Sequence, residues 1–120
     1  MEHITRTDGT WVECLGYSKK LLFDGKQIGM PGVIIQMVRI RPGYTAQEHH
    51  HRSCTEYFYF PACNGEWYVD GQKIDLQSGD SLVIQPGDVH EVRNTGTRDF
   101  VYIAFKMNVV PDDFFAGKPE

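Results

Sequence analysis

Three consecutive histidines, His49, His50 and His51, followed by Glu56, are the residues of this chain best suited to chemistry. The chain has five histidines, and a fourth, His90, stands in the segment GDSLVIQPGDVHEVRN, residues 79–94. If residues 46–51 are extended, side chains alternate, so His49 and His51 share a face roughly 6.6 Å apart along the strand while His50 points the other way. Two imidazoles so placed can converge on one ion, since metal-to-nitrogen distances of about 2.1 Å and the reach of each ring cover the gap. Glu56 can add a carboxylate after the turn RSCT reverses the chain. His90 can join from a distant strand if the fold closes on itself. Three neutral imidazoles and one carboxylate suit Mn, Fe, Co, Ni, Cu or Zn in the +2 state, and an octahedral ion keeps two positions for water or substrate. His50 and His3 fall outside that set and are expected in solvent.

The elements that must position these residues are strands. Turn-forming Gly, Pro, Asn and Asp punctuate short runs rich in Val, Ile, Tyr and Phe, and no helix of ordinary length finds room. VIIQMVRI (33–40), EYFYF (56–60), EWYV, QKIDL, SLVIQ, EVRN and DFVYIAFKM (99–107) read as strands. Asp70-Gly71 signals a tight hairpin, and Asn64-Gly65 is a second such signal. In the last long strand, Val101, Ile103, Phe105 and Met107 form one set and Phe100, Tyr102, Ala104 and Lys106 the other. Aromatic groups on both faces predict closure into a sandwich or barrel, with a second subunit as a candidate cover for one outer face. The first thirty residues supply one or two edge strands.

At 120 residues the chain fits one domain, 1–120, with N-terminal edge strands over about 1–30 and a short C-terminal tail over about 108–120. A formal charge of −4 argues against a nucleic-acid partner, and no apolar run reaches the roughly 20 residues of a membrane span. The start MEHITRTDGTW lacks a secretory pattern, which leads to the cytoplasm as the expected location. Cys14, Cys54 and Cys63 make an odd count without C-x-x-C, as expected of reduced thiols.

GYTAQEHHHRSCTE resembles the first cupin motif, G-x5-H-x-H-x4-E, through Gly43, His49, His51 and Glu56. GDSLVIQPGDVHEVRN resembles the second through Gly79, Gly87, His90 and Asn94. The motifs and the stretch between them cover residues 43–94. In two places the chain departs from the pattern: Gln85 occupies the usual proline position, with Pro86 next, and Cys63 stands where the first motif closes with glycine. Gly65 is the residue expected to restore flexibility there. The resemblance implies an all-β jelly-roll barrel, or double-stranded β-helix, a divalent metal on His49, His51, Glu56 and His90, and frequently a homodimer.

Alternation adds the pocket. With Glu56 inward, Phe58 and Phe60 face in and Tyr57 and Tyr59 out; with His90 inward, Val92 and Asn94 follow. Arg39 and Arg41 on the wet face turn Ile34, Gln36, Val38 and Ile40 inward, making Gln36 a candidate polar contact. Tyr44, Gln47, Trp67 and Tyr102 are candidates for the mouth, each equally suited to packing. Cys54 is a weaker soft-ligand candidate because Glu56 already fills that role. No separate acid/base pair is visible, so catalysis would centre on the metal. The expected function is a metal-dependent enzyme on a small metabolite, of the sugar or sugar-acid isomerase or lyase type. An Fe, Ni or Cu dioxygenase and a non-catalytic module binding a small ligand or the metal are the alternatives.

Overall fold

A computed structural model describes residues 1–120. Two antiparallel sheets pack face to face, and the residues between them are the inward half of each alternating strand. The larger sheet has the order β1 (Val12–Glu13), β2 (Ser18–Asp24), β3 (Ile34–Ile40), β10 (Phe100–Met107), β5 (Thr55–Tyr59), β8 (Ser81–Ile84). The smaller runs β11 (Phe115–Ala116), β4 (Thr45–His50), β9 (His90–Arg93), β6 (Glu66–Val69), β7 (Gln72–Ile74). From β3 onward the chain alternates between the two sheets, except at the β6–β7 hairpin, the jelly-roll arrangement the sequence predicts. The one helix, α1 (Gly25–Ile28), is a single turn capped by Asp24 and Gln27.

The core joins both sheets. Val38, Ile40, Phe58, Phe60, Phe100 and Tyr102 from the large sheet meet Ala46, Trp67 and Val92 from the small one. On β10 the inward set is Phe100, Tyr102 and Ala104, all buried. The edge strands β1 and β2 lie at one end of the large sheet. The C-terminal segment is more than a tail, since β11 pairs with β4.

Two turn readings part company. Asp70 and Gly71 both have positive φ, 51° and 79°, the pair a two-residue type I′ hairpin needs between β6 and β7. Asn64-Gly65 is no such hairpin, because β5 and β6 belong to different sheets. Gly65 is required for close approach instead: a Cβ there would run into the Phe100 ring. Its φ is not positive, so left-handed freedom at Cys63 is not what it restores.

Candidate metal centre

A β-bulge makes the histidine geometry. β4 pairs with β9 as Ala46↔Val92 and then His49↔His90, so three steps on one strand match two on the other. Ala46 faces the interior, and plain alternation from it would send His49 outward. The extra residue at Gln47–Glu48 flips the parity and brings His49 in beside His90. The bulge also lets the Gln47 carbonyl accept from His49 Nδ1 at 2.8 Å. His51 follows the strand end, and Gly87 N–H fixes its carbonyl at 2.8 Å. That bond ties the two histidine segments together.

All three rings present the same atom. Nδ1 of His49, His51 and His90 points at the carbonyls of Gln47, Asp113 and Asp88, at 2.8, 2.5 and 3.2 Å. A carbonyl only accepts, so each Nδ1 carries hydrogen and each Nε2 is free to act as a ligand. The three ligand atoms lie within 4.8 Å of one another, close to the about 4.2 Å separating two nitrogens on opposite sides of one ion. Glu56, on β5, lies 2.8 Å from His51 Nε2 and 3.4 Å from His90 Nε2 through Oε1, beside the compact group of three histidines rather than within it. With the imidazoles neutral and hydrogen on Nδ1, that buried oxygen faces bare nitrogens and has no donor; protonation of His51 Nε2 supplies one at 2.8 Å. An orphaned carboxylate oxygen facing imidazole nitrogens is what a divalent cation satisfies, so the residues fit a transition metal.

Electrostatics separates the histidines. Burial and the neighbouring His90 push His49 down to about 4. Burial also lowers His51, but the Glu56 carboxylate outweighs it and the net shift is upward. Burial would raise Glu56, yet the imidazoles of His51 and His90 and the Lys106 ammonium hold it far below the carboxylate range. Cys54 is buried and outside the converging group, and burial and Glu56 push its thiol up to about 11. It stays protonated at neutral pH, which makes it a poor ligand.

The cavity beside the histidines is lined by Gln36, Phe58, Val92, Trp67 and Tyr102, all named from the sequence, and by Tyr17, Val38, Ala46, Lys106 and Phe114. Phe60 and Asn94 do not reach it. Phe60 lies deeper in the core, and Asn94 spends its amide on the carbonyls of Ile40 and Arg98. Tyr44 and Gln47 face solvent. Lys106 sits directly across from Glu56 on β10, its Nζ 4.0 Å from Oε2 and beyond hydrogen-bond reach. Alternation already placed it on the face of Tyr102 and Ala104; its charge obscured its role as cavity wall. Tyr17 and Phe114 gave no periodic signal, although a Phe-Phe pair in a charged tail is an unusual composition.

His50 is corrected outright. It is 2% exposed, not solvated. β11 covers it: Nδ1 donates to the Gly117 carbonyl at 2.7 Å and the ring stacks on Phe115. His3 is exposed as expected.

Residues 36–106 match the family described as the cupin domain, and the chain belongs to that family. A 67-residue stretch is 25% identical to the oxalate-binding protein of Thermotoga maritima, covering 56% of this chain and 55% of the relative. The match thus spans about half the length of that protein. Among solved structures, one described as a predicted oxalate decarboxylase from Thermotoga maritima superposes with a TM-score of 0.79 at 16% identity, over 90% of this chain and all of the other. KdgF from Halomonas sp. gives 0.77 at 18% identity, over 93% and 97%. At such identities the likeness establishes the fold alone. No helix is long and apolar enough to cross a membrane.

Proposed function

We propose that this cupin is a divalent-metal-dependent enzyme acting on a small metabolite that carries a carboxylate, of the sugar-acid or related keto- or hydroxy-acid kind. One observation carries the reading: the ligand nitrogens of His49, His51 and His90 converge, and a buried Glu56 oxygen stands beside two of them, at a cavity whose wall includes Lys106. His49, His51, His90 and Glu56 are the proposed metal ligands. A bound divalent ion supplies Lewis acidity toward a carbonyl or hydroxyl oxygen. Lys106 supplies positive charge for the substrate carboxylate, and Gln36 a donor and an acceptor to orient it. Phe58, Trp67, Val38 and Val92 keep water out, which strengthens those polar contacts. The cavity is small, about 40 Å³, which favours the shorter keto- and hydroxy-acids within that class over a full-length sugar acid. The names of the two Thermotoga proteins, both built on a small dicarboxylate, support an acid over a neutral sugar.

A non-catalytic binding module is the second reading, and one observation favours it. Beyond the proposed ligands, the ionisable groups lining the cavity are Lys106, Tyr17 and Tyr102. Burial pushes Tyr17 up to about 12 and Tyr102 well above its ordinary value. Neither tyrosine is a ready base at neutral pH, as proton abstraction requires. Elemental analysis of the purified protein, then turnover assays with sugar acids, oxalate, keto sugars and catechols, with and without oxygen, separate the readings. Turnover of an acid supports the enzyme, oxygen-dependent turnover of a catechol replaces it with a dioxygenase, and tight binding without turnover favours the module.

The proposed unit is a single barrel over 1–120 acting as a homodimer. Its partner surface is the outer face of the large sheet, where Ile35, Phe105, Tyr57 and Val83 form one cross-strand row and Met37, Ile103 and Tyr59 the next.

A further inference from the structure

Residues 113–117 run along the edge of the small sheet beside the histidine triplet. The Asp113 carboxylate accepts from three consecutive backbone N–H groups, those of Arg52, Ser53 and Cys54, at 2.7, 3.0 and 2.9 Å. Its carbonyl takes the His51 Nδ1–H at 2.5 Å. Phe114 stacks on His49 with ring centroids 4.6 Å apart and planes 21° apart. Gly117 accepts from His50 through its carbonyl and donates its N–H to Glu48 O at 2.8 Å. Each histidine of the triplet therefore has a partner in one short segment far away in sequence.

We propose that Asp113 is the positioning residue for His51, and that residues 113–117 form a strap whose docking and metal binding reinforce each other. The proposal rests on the metal reading above. His51 lies past the end of β4, so no ladder fixes its ring. The Asp113 carbonyl orients it, and the carboxylate, clamped on the 52–54 backbone, holds that carbonyl in place. Bonds of this kind around a metal ligand change metal affinity by about 10- to 100-fold. β11 is only two residues long and Phe114 is 55% exposed, and the rest of the strap is held by Gly117 on His50 and Glu48 and by Phe115 against His50 and Arg52. Coupling is reciprocal, so if the docked strap tightens metal binding, the metal tightens strap docking by the same factor.

The test uses Co²⁺ and the full chain. Asp113→Ala should weaken Co²⁺ binding by about 10- to 100-fold, while Asp113→Asn, which keeps an acceptor oxygen, should retain most of the affinity. In the metal-free protein, at a pH where the ring is neutral, ¹⁵N shifts should show His51 as the single Nδ1–H tautomer, and Asp113→Ala should lose that preference. In the wild type, saturating Co²⁺ should slow hydrogen exchange of the Gly117 amide about tenfold or more. Wild-type affinity together with an unchanged tautomer in Asp113→Ala overturns the positioning role. Should that variant not fold, unchanged Gly117 exchange on Co²⁺ binding overturns the coupling. If the wild type binds no Co²⁺, the metal reading and the coupling fall together, and the tautomer comparison between wild type and Asp113→Ala decides Asp113's role alone.

Discussion

His51 Nε2 and Glu56 Oε1 stand 2.8 Å apart, both side chains buried, with only the 52–55 turn between them in the chain. Their contact raises the His51 pKa while His49, without such a partner, is held down to about 4 by burial and His90. In the metal-free protein the two rings should therefore titrate far apart, His51 above the ordinary 6.5 and His49 near 4. Glu56→Gln should lower the His51 midpoint. An NMR titration of the imidazole protons measures all of this, and a shared midpoint for both rings would refute it. For metal binding the sign follows directly: below its raised midpoint His51 carries a proton that the ion must displace. Apparent affinity should fall by about one log unit per pH unit below that midpoint and level off above it.

Ligand and bystander separate within the triplet. His51→Ala and His90→Ala should each lose most bound metal after dialysis against Co²⁺, because each removes one of three converging nitrogens. His50→Ala should still fill at saturating Co²⁺ but lose stability, since it breaks the bond to Gly117 and empties the space under Phe115. The expected loss is about 1–3 kcal/mol. Elemental analysis and thermal melts of the three proteins check the contrast, and equal metal loss in all three would sink the assignment.

How much of this was legible in the sequence follows from the range of each interaction. Counting from Glu56, His90 and Arg39, alternation turned Phe58, Val92 and Gln36 toward the cavity they line, because those strands are regular. For His49 it reached the right face only by starting inside the triplet, since the bulge at 47–48 reverses the parity counted from Ala46. The burial of His50 was invisible, because its cover comes from residues 115–117, far along the chain. The Gln85 departure has a local reason that was readable. QSGD (77–80) and QPGD (85–88) are the same turn: in each, Asp accepts from the Gln N–H at 2.8 Å and the glycine is left-handed, at 92° and 90°. The glycine N–H groups then bond Phe60 O and His51 O. A proline at 85 would forfeit the donor that Asp88 uses.

Lys106 gives the substrate reading its own test. Lys106→Met keeps the length of the stem and removes the charge, so metal content should hold while affinity for a small carboxylate falls about tenfold or more. Malonate against malonamide, titrated into the metal-loaded protein, isolates the charge. Lys106→Arg should recover part of the preference. If the Met variant still prefers malonate as strongly as the wild type does, Lys106 is not the group that receives the carboxylate.

The outer face of the large sheet makes the last prediction. Register places Phe105 between Ile35 and Tyr57, with Val83 beyond, and Ile103 between Met37 and Tyr59. Val83 is 50% exposed and Tyr59 38%. Two adjacent apolar rows, the second ending at Lys20 across from Met37, form a patch of the kind that marks an association surface, and a sheet face is suited to pairing with its own two-fold copy. Sedimentation should therefore give a dimer, and Phe105→Asp, which sets a charge in the middle of the first row and beside the second, should give a monomer. The histidine cavity lies on the opposite face of β10, where Lys106 and Ala104 point inward, so on the proposed reading the monomeric variant should still bind Co²⁺. A wild type that sediments as a monomer at high concentration would leave those rows without a second copy to cover them.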